Sequence, residues 1–325
     1  MTKVICIVPS LCSQKSYVVL NQCINSLIKS SKLSAIDIKI VVVTDGKKLF
    51  LDNLKNKINL LVRTSYKYYS FTKMNNKAIK AGIRKYKPDW ILFINDDAYI
   101  DKNFFYEFQK ISNDRADIIV PIVHDDSGKA IDSFGVEYFK SGHAKNSLNI
   151  GTKTQLASLA CLIVNAKILN RMFTKYNFYF NDVLSAYLDD AEFSIRAKGI
   201  GAKIIKSAKM ISYHRVSYTN GKRSNYVIYQ TFRNLIWIVI MTWPFKTIAK
   251  NILKILAVQL AVIVWTCFEY GPFIYLKLLV STFRNLKKLL ALRNKIVPNY
   301  LKSFKFESIF SEYSYRTHSG INIKL

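Results

Sequence analysis

Short, uniformly apolar runs alternate with stretches of helical period through the first two thirds of the chain. Val4–Val8 is followed by a segment with Leu20, Cys23, Ile24, Leu27 and Ile28 on one face, and then by Ile38–Val43. Runs so short and so uniformly apolar predict strands buried on both faces, whereas the i, i+3, i+4 spacing predicts an amphipathic helix. The same alternation predicts further strands at Ile91–Ile94, Ile118–Val123, Leu159–Val164 and Ala202–Ile205. Helices are expected around Lys77–Tyr86, Asn103–Ser112 and Asp190–Lys198, with Gly199 suited to the C-cap of the last. Strand and helix in regular alternation make βαβ units, so the fold class is α/β with a mostly parallel central sheet.

From about Tyr226 the texture changes to long apolar stretches broken at Pro244 and Gly271-Pro272. We place a boundary near residues 215 to 225, giving a catalytic domain over 1–220 and a basic, amphipathic helical region over 221–325. Lys246, Lys250 and Lys254 share one helix face, while Ile248, Ile252, Leu253, Leu256 and Leu260 lie elsewhere on the helix. With Trp237, Trp243 and Trp265 nearby, this pattern suits a helix lying in a membrane interface; an ordinary helical subdomain packed on the sheet is the alternative. The longest apolar candidate, Ile255–Phe268, has fourteen residues and contains Gln259, so no spanning helix is expected. The first apolar run, five residues, is too short for a signal-peptide core.

Charge sharpens the division. The net charge is +28, and between Glu192 and Glu307 the only acid is Glu269, against twenty lysines and arginines. Such an excess suits nucleic acid or an anionic membrane. Because these charges stand among aliphatic stretches rather than polar residues and stacking aromatics, the membrane surface is favoured and nucleic acid is not expected. Five scattered cysteines without CxxC pairing fit a reducing cytosol and argue against zinc.

Two acidic clusters carry the candidate chemistry. Asn95-Asp96-Asp97 closes the run Ile91–Ile94, and ligands collect at the carboxyl ends of strands in open α/β sheets. A hard divalent cation needs only one or two carboxylates plus substrate phosphates, so Asp97, with Asp96 beside it, meets that need. A polar turn after a strand is the plain alternative. Asp189-Asp190-Ala191-Glu192 opens a predicted helix, where helix capping competes with a role as general base. His214 follows the strand Ala202–Ile205 and could return to the same end of the sheet to complete a metal shell through a ring nitrogen; a structural histidine is the alternative.

With these residues in hand the chain resembles the family 2 glycosyltransferases of the GT-A fold, in order, over roughly residues 3 to 235. Val4–Ser10 is similar to the family's first strand, and Val41-Val42-Val43-Thr44-Asp45-Gly46 to the strand whose acidic end recognises the nucleotide base. Phe71–Ile79 resembles the segment whose Asn, here Asn76, leads into a helix near the nucleotide. Leu92–Asp97 stands at the position of the DXD motif, with Asn95 as a departure at its first place. Asp189–Phe193, with Arg196 and Gly199, resembles the acidic acceptor-site motif; its wording and the later His are similar to galactofuranosyl and rhamnosyl transferases. Arg233-Asn234 after Tyr229 is a further feature shared with bacterial surface-polysaccharide members.

The resemblance implies an inverting transfer from a nucleotide-diphosphate sugar to a hydroxyl of a saccharide or lipid-linked acceptor, in O-antigen or capsule assembly. It implies Asp190 as base with Asp189 and Glu192 around it, a Mn²⁺ or Mg²⁺ ion on Asp97 and His214, and donor contacts from Pro9, Ser10, Asp45, Asn76, Asn95 and Asp96. A cytoplasmic protein held on the inner face of the cell membrane is expected. The competing readings are a sugar nucleotidyltransferase and an inactive scaffold for polysaccharide assembly. Ser10-Leu11-Cys12-Ser13 lacks the Gly-rich, basic loop of the first. No GxGxxG follows the first strand, which disfavours a dinucleotide-dependent dehydrogenase. Specificity is expected in Ile122–Asn149, where Asp125, Asp126 and His143 are candidate contacts.

Overall fold

The computed structural model describes residues 1–45, 50–65, 70–112, 116–151, 156–215 and 224–312. The first half runs β1 (Thr2–Pro9), α1 (Gln14–Ser31), β2 (Ile36–Thr44), β3 (Leu60–Arg63), α2 (Phe71–Tyr86), β4 (Trp90–Ile94), β5 (Ala98–Ile100) and α3 (Phe104–Ile111). It continues with β6 (Ile118–Asp125), three short strands β7 (Ile131–Ser133), β8 (Val136–Tyr138) and β9 (Ala144–Asn146), then β10 (Cys161–Asn165) and α4 (Ala166–Tyr176). The remainder is α5 (Asp189–Gly199), β11 (Ile204–His214) and three helices, α6 (Asn225–Thr242), α7 (Phe245–Tyr270) and α8 (Pro272–Ile296).

The main sheet has the order β3-β2-β1-β4-β10-β6-β11-β5, with β7 paired to β6. β1, β2, β3, β4, β6 and β11 point one way, and β5, β7 and β10 the other. The central parallel strands β1, β2 and β4 are apolar on both sides where both faces are covered. Ile5, Ile7, Val41, Val43, Ile91 and Phe93 face one core, while Val4, Cys6, Val8, Val42, Leu92 and Ile94 face the other. Cys6, Cys12, Cys23 and Cys161 are buried as free thiols.

The sheet region differs from the sequence expectation at several points. The strand foreseen over Leu159–Val164 begins at Cys161 and runs antiparallel to both neighbours, since short hairpin strands rather than a crossover helix deliver the chain to it. The strand foreseen over Ala202–Ile205 extends as β11 to His214, with a register irregularity between Ser207 and Ile211. Gly199 is the last residue of α5 rather than a left-handed cap, the positive φ falling at Gly201. Glycine is required at 199 because a Cβ there would lie 2.2 Å from the Tyr300 ring.

The C-terminal helices divide in how they pack. α6 belongs to the protein core: Trp237, Ile238, Met241 and the following Trp243 are buried in the same cluster as the sheet. Trp243 Nε1 donates to Tyr138 Oη at 2.9 Å. α7 and α8 instead leave large apolar side chains outward, among them Leu253, Leu256, Leu260, Phe268, Phe273 and Phe283. Contrary to the sequence expectation, α7 is one continuous 26-residue helix, long and apolar enough by length and composition to cross a membrane. The boundary expected at residue 220 lies outside the described residues.

Candidate active site

The carboxyl ends of β1, β4 and β11 converge on a cavity of about 530 Å³. This is the crevice where β1 has β2 on one side and β4 on the other, the place at which ligands bind in open α/β sheets. Pro9, Ser10, Asn95 and Asp96 line it from the strand ends, and Ser13 and Lys15 from the start of α1. Ser10 Oγ donates to Asp96 Oδ2 at 2.5 Å. Burial raises the Asp96 carboxyl to about 7; the Ser10 hydroxyl opposes the shift and the Asp97 charge adds to it.

Asp97 and His214 meet because β5 and β11 pair antiparallel, with His214 opposite Ala98. His214 Nε2 is 3.2 Å from Asp97 Oδ1, and Nδ1 is 2.9 Å from Asp132 Oδ2. Burial works against a charge on the ring, yet hydrogen bonds to Asp132 and Asp97, and their negative charges, raise His214 to about 9. Asp132 comes from β7, whose pairing with β6 brings it to the same end of the sheet. Nothing in the local sequence marks it, because it belongs to a three-residue strand outside any motif.

The arrangement fits a divalent cation. Two donor atoms 3.2 Å apart match adjacent ligands on one ion at about 2.0–2.1 Å. A carboxylate on the far ring nitrogen is the usual device that orients a ligating histidine, and an ion here would take the place of the proton on Nε2. Among the described residues no set of three His, Cys, Asp or Glu side chains forms a preformed cage. A magnesium-like ion held by few protein ligands and by substrate phosphates requires none.

Asp189 and Asp190, at the start of α5, form another wall of the same cavity. Asp190 accepts from the amides of Ala191, at 2.8 Å, and Leu159. Burial still raises it to about 6. Asp189 is pushed well above the usual carboxylate range by deeper burial and by the charge of Asp190, and its Oδ2 is buried without a hydrogen-bond partner. Asp190 is therefore the more readily ionised member of the pair.

The backbone that delivers this pair is strained, and the C-terminal region restrains it. Ser185, Tyr187 and Leu188 all have positive φ. The Asn234 side-chain amide donates to the carbonyls of Leu184, Ala186 and Tyr187 at 3.1, 2.8 and 2.7 Å. Arg233 Nη2 donates to Leu184 O at 2.9 Å and to Asn234 Oδ1 at 2.9 Å. Both residues are buried on α6, which also brings Thr231 into the cavity wall.

Other expected site residues stand elsewhere. Glu192 is not in the cavity: it is fully buried, paired through both oxygens with Arg196 at 2.8 Å, and accepts from Asn181. Asn76 clamps the approach to the acidic loop, exchanging hydrogen bonds of 2.8 Å with the Phe180 backbone and donating to Asp182. Asp45 stands at the end of β2, away from the cavity lining. Asp125 closes a turn through Ser127, Lys129 and Ala130, Asp126 pairs with Arg215, and His143 stacks on Phe139.

A family model described as "Glycosyl transferase family 2" matches residues 7–173, just over half of the chain. No curated protein matches it by sequence. Among solved structures it is similar to S. aureus TarS, with 19% identity and a TM-score of 0.51 over 79% of this chain and 43% of that one. S. aureus TarS 1-349 in complex with UDP-GlcNAc is similar at 17% identity and a TM-score of 0.50, covering 95% of this chain and 84% of that one. GalNAc-T7 with UDP, GalNAc and Mn²⁺ is similar at 17% identity and 0.51, covering 74% and 48%. At these identities the likeness shows the fold, a GT-A sheet followed by C-terminal helices.

Proposed function

The chain belongs to glycosyl transferase family 2, and from that membership we propose that it moves a hexosyl or deoxyhexosyl unit from a nucleoside-diphosphate donor to a hydroxyl of a saccharide or lipid-linked acceptor. One observation carries the reading: a single cavity has Ser10, Asp96, Asp97 and His214 on one wall and Asp189 and Asp190 on the other. The first set suits a diphosphate and its counter-ion, the second an acceptor hydroxyl. UDP complexes of the structural neighbours support a uridine nucleotide as the first donor to try.

In the proposed reaction the acceptor oxygen forms a bond to the anomeric carbon as the bond from that carbon to the diphosphate oxygen breaks. Asp190 takes the acceptor proton, and one displacement inverts the anomeric centre. The proton therefore leaves on one wall of the cavity and the diphosphate on the other. Asp97 and His214 would hold a Mn²⁺ or Mg²⁺ ion, which when bound neutralises charge on the departing diphosphate. Asp132 fixes the His214 ring, and Ser10 orients Asp96 toward the ribose or sugar. The basic, apolar C-terminal helices support an acceptor carried on lipid at the cytoplasmic face of the membrane, in assembly of a cell-surface polysaccharide.

A panel of nucleotide sugars, each with Mn²⁺ or Mg²⁺, tests this through hydrolysis and thermal stabilisation. One donor is expected to do both. Silence across all donors would favour a scaffold role.

A further inference from the structure

We propose that α7 and α8 form a monotopic docking surface for an anionic lipid bilayer, lying along one leaflet without crossing it. The inference rests on the proposed transfer to a lipid-linked acceptor and supplies the surface that would bring such an acceptor to the cavity.

Each helix has one face already engaged and one left outward. The engaged faces pack Val262, Tyr275 and Leu278 with α6, and Trp237 Nε1 of α6 donates to Thr282 Oγ1 of α8 at 2.9 Å. The outward faces present Leu253, Leu260 and Phe268 on α7, and Phe273, Val280 and Phe283 on α8, exposed by 79, 62, 86, 79, 48 and 81%. Their spacing places each set on one side of its helix. An apolar surface this continuous, left outward, is a place where something binds.

Charge identifies what binds. Lys246, Lys250 and Lys254 on α7, and Arg284, Lys287 and Lys288 on α8, are exposed, while Glu269 is the only acid in either helix. Outward apolar side chains flanked by lysine and arginine match the acyl boundary and headgroups of an anionic leaflet.

Although α7 alone is long enough to cross, its tethers forbid it. Ahead of α7, Trp243 is fixed to Tyr138. Beyond α8, Leu301 N donates to Gly199 O at 2.7 Å and Tyr300 Oη donates to Thr242 O at 2.9 Å. Only Gly271 separates the two helices, so a crossing α7 would drag α8 back across with Lys277, Arg284, Lys287 and Lys288 inside the bilayer. Such charges are costly in hydrocarbon. The same hairpin packs on α6, whose Thr231 lines the cavity and whose Tyr226 meets the edge of Tyr187 in the acidic loop. Lipid contact would therefore hold the acceptor wall beside the membrane.

Flotation of the full chain with phosphatidylcholine vesicles, with and without phosphatidylglycerol, tests the surface. Binding is expected only with phosphatidylglycerol, with release by alkaline carbonate. Phe268→Ser with Phe283→Ser should lower partition by about tenfold or more, since each removes a large apolar side chain that the leaflet would bury. Lys250→Glu with Lys287→Glu should abolish the preference for anionic lipid. No vesicle binding, carbonate-resistant insertion, or a concentration-dependent dimer that the Phe double variant dissolves would each overturn the proposal. Donor hydrolysis in solution separates the two readings. Intact hydrolysis without vesicle binding overturns docking alone, and vesicle binding without any donor turnover overturns the transferase reading alone.

Discussion

The two walls of the cavity are fixed by different means. On the wall proposed for the donor, Ser10, Asp96, Asp97 and His214 sit at or just beyond strand ends, and the sheet register alone brings Asp97 to His214. On the wall proposed for the acceptor, Asp189 and Asp190 follow three residues of positive φ, and side chains from α6, about fifty residues later in the chain, hold that loop. A sheet end is rigid because its hydrogen bonds are repeated along every strand. A strained loop is only as well placed as its restraints, so the acceptor wall is where distant substitutions should be felt.

The sharpest test of the division is Asp190→Asn, which should lower transfer by about 10²- to 10⁴-fold, the usual contribution of a positioned base, in a turnover assay at saturating donor. Next, Asn234→Ala should lower kcat by up to about 10²-fold by letting the loop shift, with donor KM little changed. A change in donor KM alone would place Asn234 with the donor wall instead. Asp132→Asn should weaken activating metal by about 10- to 100-fold, because His214 loses the partner that orients its ring; a metal titration of activity reads this directly.

The pH dependence bears on the same contrast. Asp190 must be ionised to accept a proton, and burial raises it to about 6. Accordingly kcat/KM should be full above that pH and fall as pH drops through about 6, in a pH–rate profile of the free enzyme. The raised carboxyls also make the folded state bind more protons than the unfolded chain. Their ionisation thus costs stability as pH rises through their folded values. The smallest effect is expected away from both walls: Gly199→Ala, which forces its Cβ against Tyr300, should cost about 1–3 kcal/mol in thermal unfolding and leave turnover per folded molecule unchanged.

The same division explains what could be read from the sequence. Strand ends are legible because an apolar run followed by acids is a local pattern, as at Asn95-Asp96-Asp97, whereas Asp189-Asp190 is legible as an acidic cluster that opens a helix. Asp132 was not, since only the pairing of β7 with β6 gives it a place beside His214. Glu192 shared the acidic wording of its neighbours, but helical spacing turns it inward to Arg196 four residues on. Asn76 stood in the right segment and yet bonds the loop before α5, a contact about one hundred residues distant in sequence. Arg233-Asn234 was visible as a pattern without a physical role until the carbonyls it holds were seen. Likewise, Gln259 suggested an interrupted apolar stretch, although one polar residue does not break a helix of 26 residues.

The most direct test of a cavity with separable walls is a calorimetric titration of UDP with Mn²⁺ into the wild type, Asp190→Asn and Asp97→Ala, set beside their transfer rates. Asp190→Asn should bind nucleotide as the wild type does and transfer about 10²- to 10⁴-fold more slowly, whereas Asp97→Ala should lose metal-dependent binding. Near-normal transfer by Asp190→Asn, or nucleotide binding that fails with it as it does with Asp97→Ala, would contradict the assignment of base and metal to separate walls.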